Sequence, residues 1–205
     1  MLSEYILIEM EAVTVRQQQK EQTRRNLIRA AGALFSKKGI NATATADVAR
    51  QLKLSHGTVF VHFPKREDLV LAVIDDFGER LSAELARAIE TESEVEGILR
   101  AHIRTLAEFE DFYFRLLSEF HFLPGPIRST VFMLNSAVSW KLFEAATPLM
   151  REGKIKNFSR PLLFNTWMAL VHYNIVNREQ LSDGKSVLTE KGEMIVRHFL
   201  NLISH

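Results

Sequence analysis

Residues 45–69 read TADVARQLKLSHGTVFVHFPKREDL, and this stretch decides the fold of the first part of the chain. Val48 and Leu52 lie on one face of a very short amphipathic helix. After a four-residue connection, Ser55 is a favourable N-cap for a second short helix, which carries Val59 on its inner face. Short helices joined by so tight a turn predict a helix-turn-helix.

Helical segments flank this motif on both sides. Leu27, Ala31 and Phe35 share one helical face, and the sequence Lys37-Lys38-Gly39 that follows is typical of a helix C-terminus. Pro64 then breaks the chain, and a longer helix is expected from about Lys65. The apolar residues of that helix recur at intervals of four: Leu69, Val73, Phe77, Leu81 and Leu85.

The second short helix carries the residues that would read a nucleic acid. In a helix-turn-helix this helix enters the major groove with its N-terminal residues leading, and here residues 55–58 are short and polar. His56 can donate or accept a hydrogen bond. Thr58 can bond to either base type or to phosphate, and its methyl group can touch a thymine methyl. The spacing of Phe60 fits either a core position or a flank of the DNA backbone.

Charge is divided unevenly along the chain. The formal net charge is only +1, yet residues 16–66 hold eleven Lys and Arg against two acidic residues, a balance of +9. The remainder of the chain carries −8. This division favours a module that faces a polyanion, joined to one that does not. A basic face that meets only solvent is the alternative.

Residues 40–49, INATATADVA, and residues 54–69, LSHGTVFVHFPKREDL, resemble the DNA-binding signature of the TetR family of repressors. With the upstream helix, the resemblance covers roughly residues 22–69. It implies that Thr45 and Ala46 meet DNA from the second helix, and that residues 56–62 form the recognition helix and its exit. It also implies that Lys65 and Arg66 grip a phosphate at the start of the fourth helix, where backbone N–H groups assist.

Three residues depart from the family pattern. Ala44 replaces a common threonine that would cap the second helix, a loss of typically ~1 kcal/mol unless Thr43 or Thr45 substitutes. Phe60 replaces a frequent tyrosine and so lacks a hydroxyl for phosphate, and Ala46 offers no hydrogen bond to a base. We therefore expect fewer direct base contacts.

Basic residues also precede the motif, at Arg16, Lys20, Arg24 and Arg25. Basic arms can track phosphate or enter a minor groove, although such a run is more often a solvated helix face. Of the four, Arg24 and Arg25 are the predicted phosphate contacts. The full set of predicted DNA-binding residues is Arg24, Arg25, Thr45, Ala46, Ser55, His56, Gly57, Thr58, Phe60, Val61, His62, Lys65 and Arg66.

Aromatic residues concentrate in the second part of the chain. Ten of the fourteen Phe and both Trp lie beyond residue 97, which favours a cavity for an apolar or aromatic molecule. For any one of these side chains, core packing remains the more common role. The predicted pocket residues are His102, Phe109, Tyr113, Phe120, Met133, Trp140, Trp167 and His172.

The last two long helices are predicted to pair with those of a second copy. They carry apolar residues on more than one face, which indicates burial on more than one side, and pairing across a two-fold axis would give a four-helix bundle. An ordinary core within one chain is the alternative. The predicted interface residues are Trp167, Leu170, Ile175, Ile195, Phe199 and Leu202.

Several other classes of function lack a signal in the sequence. The chain has no cysteine, which excludes disulfides and cysteine-based zinc sites and fits a cytoplasmic protein. Its histidines show no metal-binding spacing, so neither a metal nor a cofactor is expected. No apolar run is long enough to span a membrane, and residues 1–8 lack the basic start of a signal peptide. No motif of an enzyme is present.

The sequence thus predicts an all-α protein of about nine helices. Its expected parts are an N-terminal extension (1–21), a helix-turn-helix domain (22–68) and a ligand-sensing and dimerisation domain (69–205). The predicted function is that of a homodimeric repressor, released from a palindromic double-stranded operator by a small apolar or aromatic molecule. A non-specific DNA-binding or interaction module without effector, or an all-α enzyme, are the alternatives.

Overall fold

The computed structural model describes the backbone of residues 2–92 and 95–205, and the side chains of residues 15–87 and 95–205. Within these ranges the chain forms ten α-helices, one short 3-10 turn and no β-strand, which confirms the all-α prediction. Met1 of the predicted extension lies outside the described residues. The helices are α1 (Leu2–Lys38), α2 (Thr45–Gln51), α3 (His56–His62), α4 (Arg66–Glu92), α5 (Val95–Glu108), α6 (Glu110–Glu119), α7 (Gly125–Arg151), α8 (Arg160–Val176), α9 (Arg178–Leu181) and α10 (Val187–Ile203), with the 3-10 turn at Phe120–Phe122.

The first helix is longer than a helix-turn-helix requires. The predicted extension and the predicted first helix form one continuous element, and α1 ends where Gly39 takes a φ of +101°. Side chains 15–20 are exposed, and α1 enters the core only from Leu27. The boundary at residues 21 and 22 therefore falls inside α1, just as the boundary at residues 68 and 69 falls inside α4.

The short helices α2 and α3 pack against each other and under α1, as the apolar stripe predicts. Val48 and Val59 are fully buried between them. The turn between the helices contains Lys53 with a φ of 55°, a left-handed conformation that is uncommon for a residue other than glycine.

Helices α5 to α10 form the larger part, and it shares one continuous apolar core with the helix-turn-helix part. The long helix α4 belongs to both, because it packs against α1 as well as α5 and α7. Helices α5 and α6 are separated at Phe109, where the backbone leaves helical geometry before α6 begins. Pro148 does not end α7, which continues to Arg151.

None of the helices in the described ranges has the length and apolar character needed to cross a bilayer.

Helices α5 and α10 approach closely at Gly192, which is buried. A Cβ atom at this position would overlap the Cγ2 methyl of Ile103, a β-branched side chain with little rotamer freedom. Glycine is therefore needed here for close packing, although it lowers the propensity of the helix.

We expect Gly192→Ala to lower the free energy of unfolding by about 1–3 kcal/mol, because an added methyl group overpacks the α5–α10 contact. Gly32→Ala in α1 is the matched control, since its Cβ would lie at an ordinary 3.5 Å from Val73. That change should be neutral or stabilise by up to about 1 kcal/mol. Urea unfolding followed by circular dichroism measures both, and equal effects would contradict close packing at Gly192.

Candidate nucleic-acid interface

Helix α3 presents its first turn to solvent. The Oγ atom of Ser55 accepts a hydrogen bond from the Thr58 amide at 3.1 Å, so Ser55 is the N-cap that the sequence predicts. Ser55, His56 and Gly57 are exposed. Phe60 is 44% exposed and Val61 70%, whereas Val59 is buried. The core alternative for Phe60 is thereby excluded, because its ring lies on the outer face of α3; its contact with DNA stays a prediction.

The ring of His56 is held between two neighbours. Its Nε2 atom lies 3.0 Å from the Oγ1 atom of Thr45, at the start of α2. The edge of the ring also meets Phe60, with ring centroids 4.7 Å apart. Thr45 and His56, predicted as DNA contacts from separate helices, are thus brought together. Side chains held in this way need less ordering when they bind.

The start of α2 lacks a side-chain cap, as the sequence indicates. Ala44 occupies the N-cap, and neither neighbouring threonine replaces it: Thr43 is buried and donates to the Gly39 carbonyl. The carboxylate of Asp47 instead accepts a hydrogen bond from the Ala44 amide at 3.1 Å. This bond, helped by the charges of Lys38 and Arg50, holds the pKa of Asp47 below its ordinary value.

The guanidinium of Arg66 points into the protein, which corrects its predicted role as a phosphate contact. Its Nε atom donates to the Thr43 carbonyl at 3.1 Å, and a second nitrogen donates to the carbonyl of Ile40. Arg66 therefore fixes the turn between α1 and α2. The neighbouring Lys65 is exposed, and Lys65 remains a predicted phosphate contact.

The same turn is held from the other side by α6, a contact that sequence reasoning missed. The carboxylate of Glu119 accepts hydrogen bonds from the amides of Ile40 and Asn41, at 3.0 and 2.7 Å. Arg115 donates to the carbonyls of Ser36 and Lys37 at the end of α1, both at 3.3 Å. Nothing local in the sequence signals these bonds, because they join residues almost eighty positions apart.

Gly39 allows the approach of Glu119. A Cβ atom at residue 39 would lie 2.6 Å from the carboxylate Oε1 atom, and the φ of +101° disfavours any other residue as well.

Two of the basic residues on α1 behave differently. Arg24 places its guanidinium over the ring of Phe63, 4.4 Å from the ring centroid, at the exit of α3. Arg25 lies on another face of α1, where it forms an exposed ion pair with Glu21 at 3.7 Å. His62 lies beside Arg24 and Lys20; burial and these two positive charges lower the pKa of its imidazole.

The larger part of the protein contains two polar pairs in its interior, here called the buried polar pairs, although His172 of the second is only partly buried. The indole Nε1 atom of Trp167 donates to His102 Nδ1 at 2.9 Å, and the Tyr113 hydroxyl lies 3.0 Å from His172 Nε2. Burial, with a contribution from the charge of His172, lowers the pKa of His102 to about 3. Burial likewise lowers the pKa of His172 to about 4 and raises that of the Tyr113 hydroxyl. All four side chains are neutral at pH 7.

With this geometry established, comparison with known proteins is informative. Residues 27–73 match the model of a family described as bacterial regulatory proteins, tetR family. A transcriptional repressor of the HTH type from Mycobacterium tuberculosis is 36% identical over 91 residues, which cover 43% of this chain and 46% of the repressor. The regulator TtgR from Pseudomonas putida is 35% identical over 79 residues, covering 38% of this chain and 37% of TtgR. The matched stretch is thus less than half the length of these relatives.

Residues 27–73 are thus similar in sequence to the TetR family of regulators. This confirms the resemblance carried by residues 40–69. Solved structures extend the likeness in fold over most of the chain. A TetR-family regulator from Agrobacterium tumefaciens superimposes with a TM-score of 0.74 at 19% identity, over 91% of this chain and 100% of that protein. The protein AibR, solved with isovaleryl coenzyme A and operator DNA, gives 0.68 at 16% identity, over 88% and 97%.

Outside residues 27–73, the predicted pocket residues do not line one cavity. His102, Tyr113, Trp167 and His172 form the two buried pairs. Met133 and Trp140 are 62% and 56% exposed on α7. The Arg160 guanidinium lies over the Trp140 ring, 4.1 Å from its centroid, and Trp140 lines a cleft of about 560 Å³ between α4 and α7. Phe109 and Phe120 are partly buried against the core. Of the eight predicted residues, Phe109 alone lines a cleft of about 650 Å³ between α1, α4, the α5–α6 junction and the α9–α10 loop.

The predicted dimer residues need a larger correction. Trp167, Ile175, Ile195 and Phe199 are fully or almost fully buried within the monomer, where α8 and α10 pack on each other and on α5, so they cannot contact a second chain. Leu170 is partly buried against the same core, and Leu202 is exposed. The helices carry other apolar residues on their outer faces: Leu162, Tyr173, Val176 and Met194.

We expect Glu119→Ala to lower the free energy of unfolding by about 2 kcal/mol, because it removes charge-assisted bonds from two backbone amides. Glu119→Gln retains one acceptor oxygen and should lose less. Glu108→Ala removes an exposed carboxylate at the end of α5 and should stay within about 0.5 kcal/mol of the parent. Chemical denaturation measures all three, and a Glu119→Ala variant as stable as the control would contradict the importance of the contact.

The buried histidines make stability depend on pH. Since the folded protein keeps both neutral while the unfolded chain protonates them below a pKa of ~6.5, stability is full above that pH and falls on acidification towards the folded values of about 4 and 3. Inside this window the loss is about 1.4 kcal/mol per pH unit for each histidine.

His102→Asn and His172→Gln keep an acceptor near the same place and should flatten the fall in stability between pH 6.5 and 4.5. His198→Gln, at an exposed position of α10, is the control and should leave the slope unchanged. Urea unfolding at a series of pH values provides the measurement. A parent protein with a flat profile across this range would be inconsistent with neutral buried imidazoles.

Proposed function

We propose that the protein is a homodimeric, DNA-binding transcriptional repressor that a small apolar or aromatic molecule releases from a palindromic operator. It would act in the cytoplasm, with residues 22–68 as the DNA-binding domain, residues 69–205 as the sensing and dimerisation domain, and residues 1–21 as an N-terminal extension. The relatives of its amino-terminal domain are named transcriptional regulators, and we propose no catalytic reaction for it.

One observation carries the DNA-binding part of this proposal. The first turn of α3 is polar and exposed, and it lies on a segment with a formal charge of +9. His56, fixed by Thr45 and Phe60, is the best placed side chain to hydrogen-bond to a base edge in the major groove. Val61 and Phe60 offer apolar contact with thymine methyl groups or the sugar backbone.

The buried polar pairs support the sensing part. Hydrogen-bonding groups inside an otherwise apolar core can orient a ligand that replaces one partner of a pair. Two solved neighbours of similar fold hold small molecules: a regulator from Saccharomonospora viridis was solved with choline, and AibR with isovaleryl coenzyme A. For this chain we propose a cavity that opens around Tyr113 and His172, next to the aromatic side chains of α4 and α6.

The outer faces of α8 and α10 support the dimer. Leu162, Tyr173 and Val176 form an exposed apolar row along α8, and Met194 and Leu202 form another on α10. Exposed apolar rows on neighbouring helices are typical of an interface with a second copy. In the DNA-bound dimer the two α3 helices would lie ~34–36 Å apart, which is one turn of B-DNA.

Selection of binding sites from random duplex DNA by the purified protein tests the proposal. We expect an inverted repeat whose half-site centres are 10–10.5 base pairs apart or a multiple of this. His56→Ala should reduce the preference for the selected site over a mixed-sequence duplex, at a cost of about 1–3 kcal/mol at the bases it reads. Lys65→Gln should weaken binding to both duplexes alike.

Enrichment of no sequence would favour the non-specific module and overturn the repressor. Equal changes in specificity for the His56 and Lys65 variants would contradict the assignment of α3 as the reading element. Fluorescence anisotropy at fixed salt is the measurement for each variant.

A further inference from the structure

The exposed part of α1 carries a row of three basic side chains. Arg16, Lys20 and Arg24 are four residues apart and so lie on one face of the helix. No described acidic side chain forms an ion pair with Arg16 or Lys20, which are both exposed. We call these three residues the α1 basic row. From residue 15 to residue 26 the helix extends for ~18 Å before it joins the core.

The α1 basic row lies next to the exit of the recognition helix. The Arg24 guanidinium covers the Phe63 ring at 4.4 Å, and Phe63 directly follows α3. The charges of Lys20 and Arg24 are close enough to lower the pKa of the His62 imidazole. The row thus lies beside the C-terminal end of α3, although it is about forty residues away in the chain.

Groove dimensions decide what this surface meets. The major groove of B-DNA is ~12 Å wide and admits one helix, while packed helices lie ~8–10 Å apart. With α3 in the groove there is no room for α1 beside it. The exposed part of α1 must then lie over the sugar–phosphate strand that borders the groove, where a duplex carries one negative charge for every ~1.7 Å of its axis.

We propose that the α1 basic row is a second DNA-contacting surface, which binds the phosphates flanking each half-site independently of their sequence. This inference rests on the proposed function, since it needs α3 in the major groove. It differs from the prediction made from the sequence, because the structure assigns the contact to Arg16 and Lys20 together with Arg24. Arg25 is not part of the row, because it lies on another face of α1, where it pairs with Glu21.

The salt dependence of binding tests this proposal, since each phosphate contact contributes about 0.9 to the slope of log K against log salt. The probe is a fluorescein-labelled 40-base-pair duplex of mixed sequence, titrated with the full chain in potassium chloride from 25 to 200 mM. The test variant is R16Q/K20Q, because glutamine keeps the helix propensity of α1 while removing the charge. The matched control is R104Q/R151Q, which removes two exposed positive charges from α5 and α7.

We expect R16Q/K20Q to reduce the slope by about 1.8 for each bound chain and to weaken binding most at low salt. R104Q/R151Q should keep the slope of the parent protein. Circular dichroism should show equal helix content for the parent and both variants.

Two negative outcomes are distinguishable. If the parent protein binds the duplex with a steep salt dependence that R16Q/K20Q retains, the α1 basic row is only a solvated helix face and this inference fails alone. If the parent protein does not bind duplex DNA, the proposed function fails as well.

Discussion

The positions of α2 and α3 depend on the turn between α1 and α2. Three charged side chains from two other helices hold its backbone: Glu119 and Arg115 from α6, and Arg66 from the start of α4. Bonds between a charged side chain and backbone groups are short and strong compared with neutral pairs. The turn leads directly into α2, and α2 positions α3 through Val48 and Val59. The placement of α3 therefore depends on α4 and α6.

These same two helices reach the Tyr113–His172 pair, which would connect the proposed sensing with the proposed DNA binding in physical terms. Tyr113, which is hydrogen-bonded to His172, lies on α6 six residues before Glu119. The ring of Phe77 on α4 packs against Tyr113, with centroids 5.8 Å apart. A ligand that separates Tyr113 from His172 would thus act on the helix that holds the turn and on its neighbour. It shifts the protein to a released state only to the extent that it binds that state more tightly.

The sequence allowed good prediction wherever structure depends on near neighbours. The cap at Ser55, the end of α1 at Gly39 and the exposed first turn of α3 all follow from local rules, as does the TetR-family resemblance. Prediction from the sequence failed where the role of a side chain depends on residues far away in the chain. A basic residue at position 66 predicts a phosphate contact. The structure shows instead that Arg66 donates hydrogen bonds to the carbonyls of Ile40 and Thr43. Periodicity likewise assigned Trp167 and Phe199 to an apolar face, but it cannot tell whether that face meets the same chain or another.

The polar pairs are informative because the fold does not require them. A core of this size could be filled with apolar side chains, and replacing buried polar networks in this way often leaves a protein as stable or more so. Here two imidazoles, a phenol and an indole are buried instead, and the imidazoles bring a loss of stability in acid. Each pair links α8 to a helix on the path to the turn: His102 on α5, and Tyr113 on α6. A ligand with one hydrogen-bonding group in an apolar frame could bond to one member of a pair in place of the other, whereas a purely apolar core would accept that ligand only at the cost of its polar group. For the proposed sensor, the pairs thus favour an effector that is mostly apolar and carries a single polar end.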